Sequence, residues 1–170
     1  MNIVLSHGQK FVVVVLALAT LPSSAQTNLT ATAIMPVRME IVAACLVSVS
    51  DLDFGAYASN STIAVLGQTT IELSCGSGTT AEIALDGGTG PGGNTSRRRL
   101  QQDSGNDRLD YDLFQDPGRT THWGDRSGVD TKEVQTTGQP QTVPIYGEIP
   151  ARQRARGGTY SDMITVTVHY

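Results

Sequence analysis

The chain has no stretch with a convincing 3.6-residue apolar period, so nothing in it reads as an amphipathic helix. It has no apolar run long enough to cross a bilayer; Phe11 to Ala19, FVVVVLALA, is too short. Cysteine is confined to Cys45 and Cys75. They lie far apart with no histidine near them, which makes a poor metal site. Histidine is also scarce. Beyond residue 25 only His122 and His169 remain. His169 alternates to the polar side of a terminal strand and neither cysteine is spare, so a serine or cysteine triad is badly placed. Lys and Arg number 12 against 16 Asp and Glu, a formal charge of -4. This mild acidity gives no general case for nucleic-acid binding.

What is present begins with a leader. Residues 1–25 read as a secretory signal: Lys10 supplies the positive end, Phe11 to Ala19 the apolar core, and Ser23-Ser24-Ala25 the small residues for cleavage before Gln26. The remainder is one domain of ordinary size. An exported chain with a single cysteine pair points to one disulfide, Cys45–Cys75. It would close a loop of about 30 residues, worth roughly 3–4 kcal/mol on a chain-entropy model.

From Ala44 to Tyr57 the apolar positions predict a strand that bends or changes pairing near Asp51, with Gly55 at a tight corner. Ile71, Leu73 and Cys75 alternate with polar residues, a strand signal. After the turn Gly76-Ser77-Gly78, Thr79 to Leu85 is expected to pair back as the next strand. Asp86 to Asn94, DGGTGPGGN, reads as a flexible loop. Leu109, Tyr111 and Leu113 share one face of a further strand. Asp116 to Gly128 reads as a long polar loop around His122 and Trp123. Gln141 to Ile149 is a strand whose Pro144 implies an edge, a bulge or a turn. Thr159 to Tyr170 closes the chain as a strand. Many short strands with Gly and Pro punctuation predict an all-β sandwich or barrel.

Two terminal stretches belong together. In residues 28–41, NLTATAIMPVRMEI, the apolar Leu29, Ala31, Ala33, Met35, Val37, Met39 and Ile41 recur with a period of two. No turn signal folds this stretch back as a hairpin arm. At the other end, Ile164, Val166, Val168 and Tyr170 line a last strand with nothing after it to cover its edge, ordinarily an aggregation hazard. A spare strand at one end and an open edge at the other suggest that one subunit's N-terminal strand fills the gap beside its neighbour's last strand. Leu29, Ala31, Ala33, Met35 and Val37 are then the anchors. Pro36 marks either a weak point or the end of the inserted strand, and Met39 and Ile41 are left open to either part.

These residues resemble the spore coat U domain proteins, a family that includes the major subunits of archaic, Csu-type chaperone–usher pili. The matching pieces run in family order. They are Cys45 with Val47, Leu52-x-Phe54-Gly55-x-Tyr57, Cys75 with Gly78-Thr79, and Leu109-x-Tyr111-x-Leu113-Phe114. Next come Trp123-Gly124-Asp125, Val143-x-x-Tyr146-Gly147-x-Ile149-Pro150-x-x-Gln153, and Gly158-Thr159-Tyr160-x-Asp162 with Ile164 to Tyr170. Leu100 departs from a methionine common in the family, and residues 87–93 and 97–99 look like local elaborations. The resemblance implies an incomplete immunoglobulin-like β-sandwich lacking its final strand and completed by donor-strand exchange. On that reading residues 26–41 are the donor extension and 42–170 the sandwich domain. A periplasmic chaperone lends the missing strand first, an outer-membrane usher exports the subunit, and neighbouring subunits polymerise head to tail. The product is a surface fimbrium for adhesion and biofilm formation, with no catalytic residue, metal or cofactor.

The competing readings have less behind them. A glycosidase needs two carboxylates facing one cleft. Asp107, Asp110, Asp112 and Asp116 are available, but Asp110 and Asp112 alternate onto the solvent face. The glycine-rich loop occurs once, whereas calcium-binding glycine motifs repeat. Arg97 to Arg99 read as a solvated charge run, and Trp123 as packed over the end of the core. The alternative function is a non-polymerising secreted coat or carbohydrate-binding β-sandwich module, which would keep Leu29 to Ile41 in its own sheet.

Overall fold

The computed structural model describes residues 31–42 and 44–170. The expected leader, residues 1–25 with cleavage before Gln26, and the anchor Leu29 lie outside the described residues. No helix occurs among those described. Residues 31–42 carry no strand pairing and their apolar side chains are exposed. From Cys45 onward the chain forms two sheets.

The large sheet contains β1 (Cys45–Val49), β2 (Val65–Cys75), β7 (Gln141–Ile149), β5 (Arg108–Phe114), β4 (Arg98–Gln102) and β8 (Tyr160–Ser161), in that order. The small sheet runs β6 (Lys132–Gln135), β3 (Thr80–Leu85), β9 (Val166–His169). All strand pairs are antiparallel. Alternation builds the core, because successive side chains of a strand face opposite ways. Ile71 and Leu73 of β2, Ile83 and Leu85 of β3, Tyr111 and Leu113 of β5, and Val143, Ile145 and Ile149 of β7 meet between the sheets. Trp123 is fully buried among them, and its indole N–H donates to the Ile83 carbonyl at 2.9 Å.

Three expectations change. Thr79 to Leu85 does not pair back on β2. The turn at residues 76–79, with Gly78 at φ 78°, carries the chain across the sandwich, so β3 pairs with β6 and β9 instead. The closing stretch is not one strand either: β8 pairs with β4 in the large sheet, and β9 pairs with β3 in the small one. Third, Pro144 sits in a strand flanked on both sides. The β5 ladder stops at Phe114–Tyr146, however, so at Pro144 β7 has a partner only on the β2 side, and the missing N–H is harmless.

Residues 50–57 leave β1 and turn at Gly55, whose φ is 68°. They lay Leu52 and Phe54 over two glycines that face each other, Gly67 of β2 and Gly147 of β7. A Cβ on Gly147 would lie 2.7 Å from Phe54 Cζ and 2.8 Å from Leu52 Cδ2. Glycine is therefore required here by close approach. Gly147→Ala in an ordinary strand interior would be mildly stabilising. Here overpacking should reverse the sign and cost roughly 1–3 kcal/mol. Thermal unfolding of the purified variant checks this, and an unchanged or raised midpoint would refute the packing account.

Candidate functional site

The two sheets do not close on each other along one side. β1 is an edge of the large sheet and β9 an edge of the small one, and each has a single strand partner among the described residues. Between them lies an open groove of about 680 Å³. One wall is β1 with Val47 and Val49, continued by Asp51, Leu52 and Phe54; the other is Ile164 to Val166. Leu100, Tyr111, Leu113 and Ile145 are exposed to it as a floor. A second cleft of about 600 Å³ adjoins its lower end and shares Leu52, Phe54 and Asp162 with it.

Alternation sets the walls. Val47 and Val49 lie on the inward face with Cys45, yet each is 44% exposed, because none of the described residues covers the groove. Ile164, Val166 and Val168 are half-buried and packed against the core, with Thr165, Thr167 and His169 outward. Tyr170, expected on the same face, is 58% exposed. Cys45 and Cys75 sit directly opposite one another and are joined as a disulfide, which ties the upper end of β1 to β2. Ala31, Ala33, Met35 and Val37 of the expected donor are exposed, as are Met39 and Ile41.

Asp162 organises the lower end of the groove. Its carboxylate accepts from the Thr89 N–H at 2.8 Å, the Thr89 hydroxyl at 3.0 Å, the Gly90 N–H at 2.9 Å, the Met163 N–H at 2.8 Å and the Tyr111 hydroxyl at 2.8 Å. Burial first, and then this bond to a carboxylate, push the Tyr111 phenol well above its ordinary range. The glycine-rich stretch expected to be flexible is therefore fastened. A Cβ on Gly90 would collide with the carbonyl oxygen of Arg99. Asp162 also stands where the chain leaves the large sheet for the small one, which explains why the last strand breaks there.

The other candidates resolve into scaffolding. The run Arg97 to Arg99, expected to be solvated, divides. Arg97 and Arg99 pair with Asp110 at 2.6 and 3.2 Å, while Arg98 is fully buried. Arg98 donates to the carbonyls of Leu85, Asp86 and Trp123 at 2.8 Å each. Its Nη1 also lies 3.5 Å from Asp112. Asp112 is 3.0 Å from His122 Nδ1 as well. His122 Nε2 is buried without a hydrogen-bond partner, so neither ring nitrogen meets a hydroxyl or thiol to activate. Asp116 accepts from the N–H groups of Thr121 and Thr120 in its own turn, and these bonds hold its carboxyl below the usual range. Asp107 lies 3.8 Å from Arg156. No two of these carboxylates face a common cleft unpaired. Among the described residues, no group of three His, Cys, Asp or Glu could hold a metal ion. Sequence reasoning missed the β1 wall, though the period-two pattern Cys45, Val47, Val49 carried the signal. It also missed Asp162 as a hub, although the piece Gly158-Thr159-Tyr160-x-Asp162 had singled the residue out.

Comparison with known proteins agrees with this geometry. The chain matches the family described as Spore Coat Protein U domain over residues 31–167. It is 32% identical over 128 residues to Protein U of Myxococcus xanthus, spanning 70% of this chain and 71% of that protein. Among solved structures it resembles the chaperone–tip adhesion subunit pre-assembly complex from archaic chaperone-usher Csu pili of Acinetobacter baumannii. That likeness has a TM-score of 0.56 at 22% identity and covers 76% of this chain but only 40% of that one. It is a likeness of fold, and places the sandwich among those of immunoglobulin type.

Proposed function

The chain belongs to the spore coat protein U domain family, and from that membership we propose that it is a structural pilus subunit that polymerises by donor-strand complementation. The observation that carries the reading is the groove between β1 and β9, with two open edges and an apolar floor. An extended apolar strand is the ligand such a groove fits, since main-chain bonds give affinity and alternate side chains fill the interior. Residues 26–41 of a neighbouring copy supply that strand. The contact is head to tail and does not close on itself, so repetition gives a filament.

Before assembly a periplasmic chaperone occupies the groove, as the Csu chaperone–subunit complex suggests by its fold and name. An outer-membrane usher then exports the subunit to the cell surface, where the fibre serves adhesion and biofilm formation. No catalytic role is assigned; the carboxylates that could have supported one are engaged in ion pairs and turns.

The test is expression of the mature chain with and without its chaperone, followed by electron microscopy for fibres. Fibres are expected only with the chaperone. Deleting residues 165–170 should remove the β9 edge, abolish chaperone binding and leave the subunit open to proteolysis. Normal accumulation of the truncated subunit in complex with its chaperone would overturn the assignment of that edge. A stable monomer with residues 28–41 paired in its own sheet would instead favour the non-polymerising module.

A further inference from the structure

The strand directions fix which way an entering segment can run. β1 descends from Cys45, opposite Cys75, to Val49, opposite Ile71. β2 ends at Cys75 on the upper side, and β3 descends from there after the turn. β9 pairs antiparallel with β3, Val166 opposite Leu85 and His169 opposite Glu82, so it ascends. The groove thus has one descending and one ascending wall. In the small sheet every pair is antiparallel, and a strand added to β9 in the same manner descends.

Register follows from side-chain parity and from Pro36. Ile164, Val166 and Val168 face inward. The odd-numbered residues of the extension must face inward with them. Pairing Ala33 with Val166 places Ala31 across from Val168 and Met35 across from Ile164. Pro36 then falls across from Met163, below the last residue of β9 that pairs with β3. Its missing N–H costs nothing there. Sliding the segment downward by two residues would set Met35 against the Asp162 carboxylate. Sliding it upward by four would put Pro36 inside the β9 ladder, across from Thr167.

In this register Arg38 emerges at the lower mouth. It is the one cation in residues 26–41. Asp51 stands at that mouth, exposed and in no ion pair among the described residues, and it lines both the groove and the adjoining cleft. Asp53 is beside it, with one carboxylate oxygen accepting the Gly55 N–H at 2.7 Å. The cation in the cleft wall, Arg156, lies 3.8 Å from Asp107. We propose that residues 29–37 of a second copy descend the groove antiparallel to β9, Ala33 across from Val166, and that Arg38 of the entering copy pairs with Asp51 as a charge lock on that register. The proposal rests on the donor-strand reading above and adds its direction, its register and a specificity residue.

Cysteine cross-linking and charge exchange test it on assembled fibres. Thr32→Cys with Thr167→Cys places two outward residues opposite each other, so non-reducing gels should show a ladder of linked subunits. Thr32→Cys with Thr165→Cys should give little. Arg38→Asp alone and Asp51→Arg alone should each slow polymerisation by about three- to tenfold at low salt, less at high salt. The two together should restore it. Stronger cross-linking through position 165, or failure of the double exchange to restore the rate, overturns the proposal while leaving the donor strand standing. If Ala33→Asp, run in parallel, polymerises normally, the donor-strand reading itself fails and the lock with it.

Discussion

Ala33→Asp is expected to leave chaperone binding intact and to cut fibre formation by at least about 100-fold, whereas Thr32→Asp, one residue away, should be mild. The contrast comes from alternation. On the proposed insertion Ala33 belongs to the face that enters the groove, and Thr32 to the face left in solvent. The space between β1 and β9 is floored by Leu100, Tyr111, Leu113 and Ile145, with no cation among its lining residues. A carboxylate forced into it loses its water and gains no partner, at a cost of several kcal/mol. Each 1.4 kcal/mol or so is a factor of ten in affinity. Chaperone binding should be spared because, on the proposed function, the chaperone takes the groove of this chain and not its extension. The readouts are co-purification with the chaperone and fibre yield by electron microscopy. Equal polymerisation of the two variants would rule out the insertion of this face.

The open edge at β9 could be read from the sequence because it is a local pattern; the alternation of residues 28–41 is local too, and residues 31–42 carry no strand pairing. The apolar residues of 28–41 and of 164–170 keep a period of two, and that period does not depend on which sheet receives them. Partition between sheets depends on information the period lacks. Ala81, Ile83 and Leu85 would face inward on either side of the sandwich, so a hairpin onto β2 and a crossing to the other sheet look alike in sequence. Tyr160, Asp162 and Ile164 share parity too, which made two short strands look like one. What separates them is the set of donors gathered on Asp162 from Thr89, Gly90 and Tyr111, residues far away in the chain. β6 carried almost no signal. Its residues are Lys-Glu-Val-Gln, and only Val134 packs on the core.

The arginine run shows the same limit, and it carries the second large expectation. Three identical residues cannot reveal which one is buried, but strand parity could have. Arg98 shares its face with Leu100 and Gln102, and the inner surface of β4 must meet the core. The guanidinium crosses from the large sheet to the end of β3, binding the carbonyls of Leu85 and Asp86 there and that of Trp123 in the loop beside them. Burial pulls its pKa down, but arginine stays charged, held by Asp112 and by dipoles aimed at its five donors. Arg98→Met removes the charge and strands three carbonyl oxygens in the interior. At about 1–3 kcal/mol for each unsatisfied group, partly offset by relaxation and water, the loss should be roughly 3–5 kcal/mol. That is a large share of the stability of a domain this size. Arg98→Lys should recover little, because a single ammonium cannot span the three carbonyls that the planar fork reaches. Arg99→Met breaks only a partly exposed pair with Asp110 and should cost no more than about 1 kcal/mol. Thermal unfolding of the three variants, with the yield of soluble subunit from the periplasm, separates these outcomes. If Arg98→Met and Arg99→Met unfold at the same temperature, Arg98 is not the tie between the sheets.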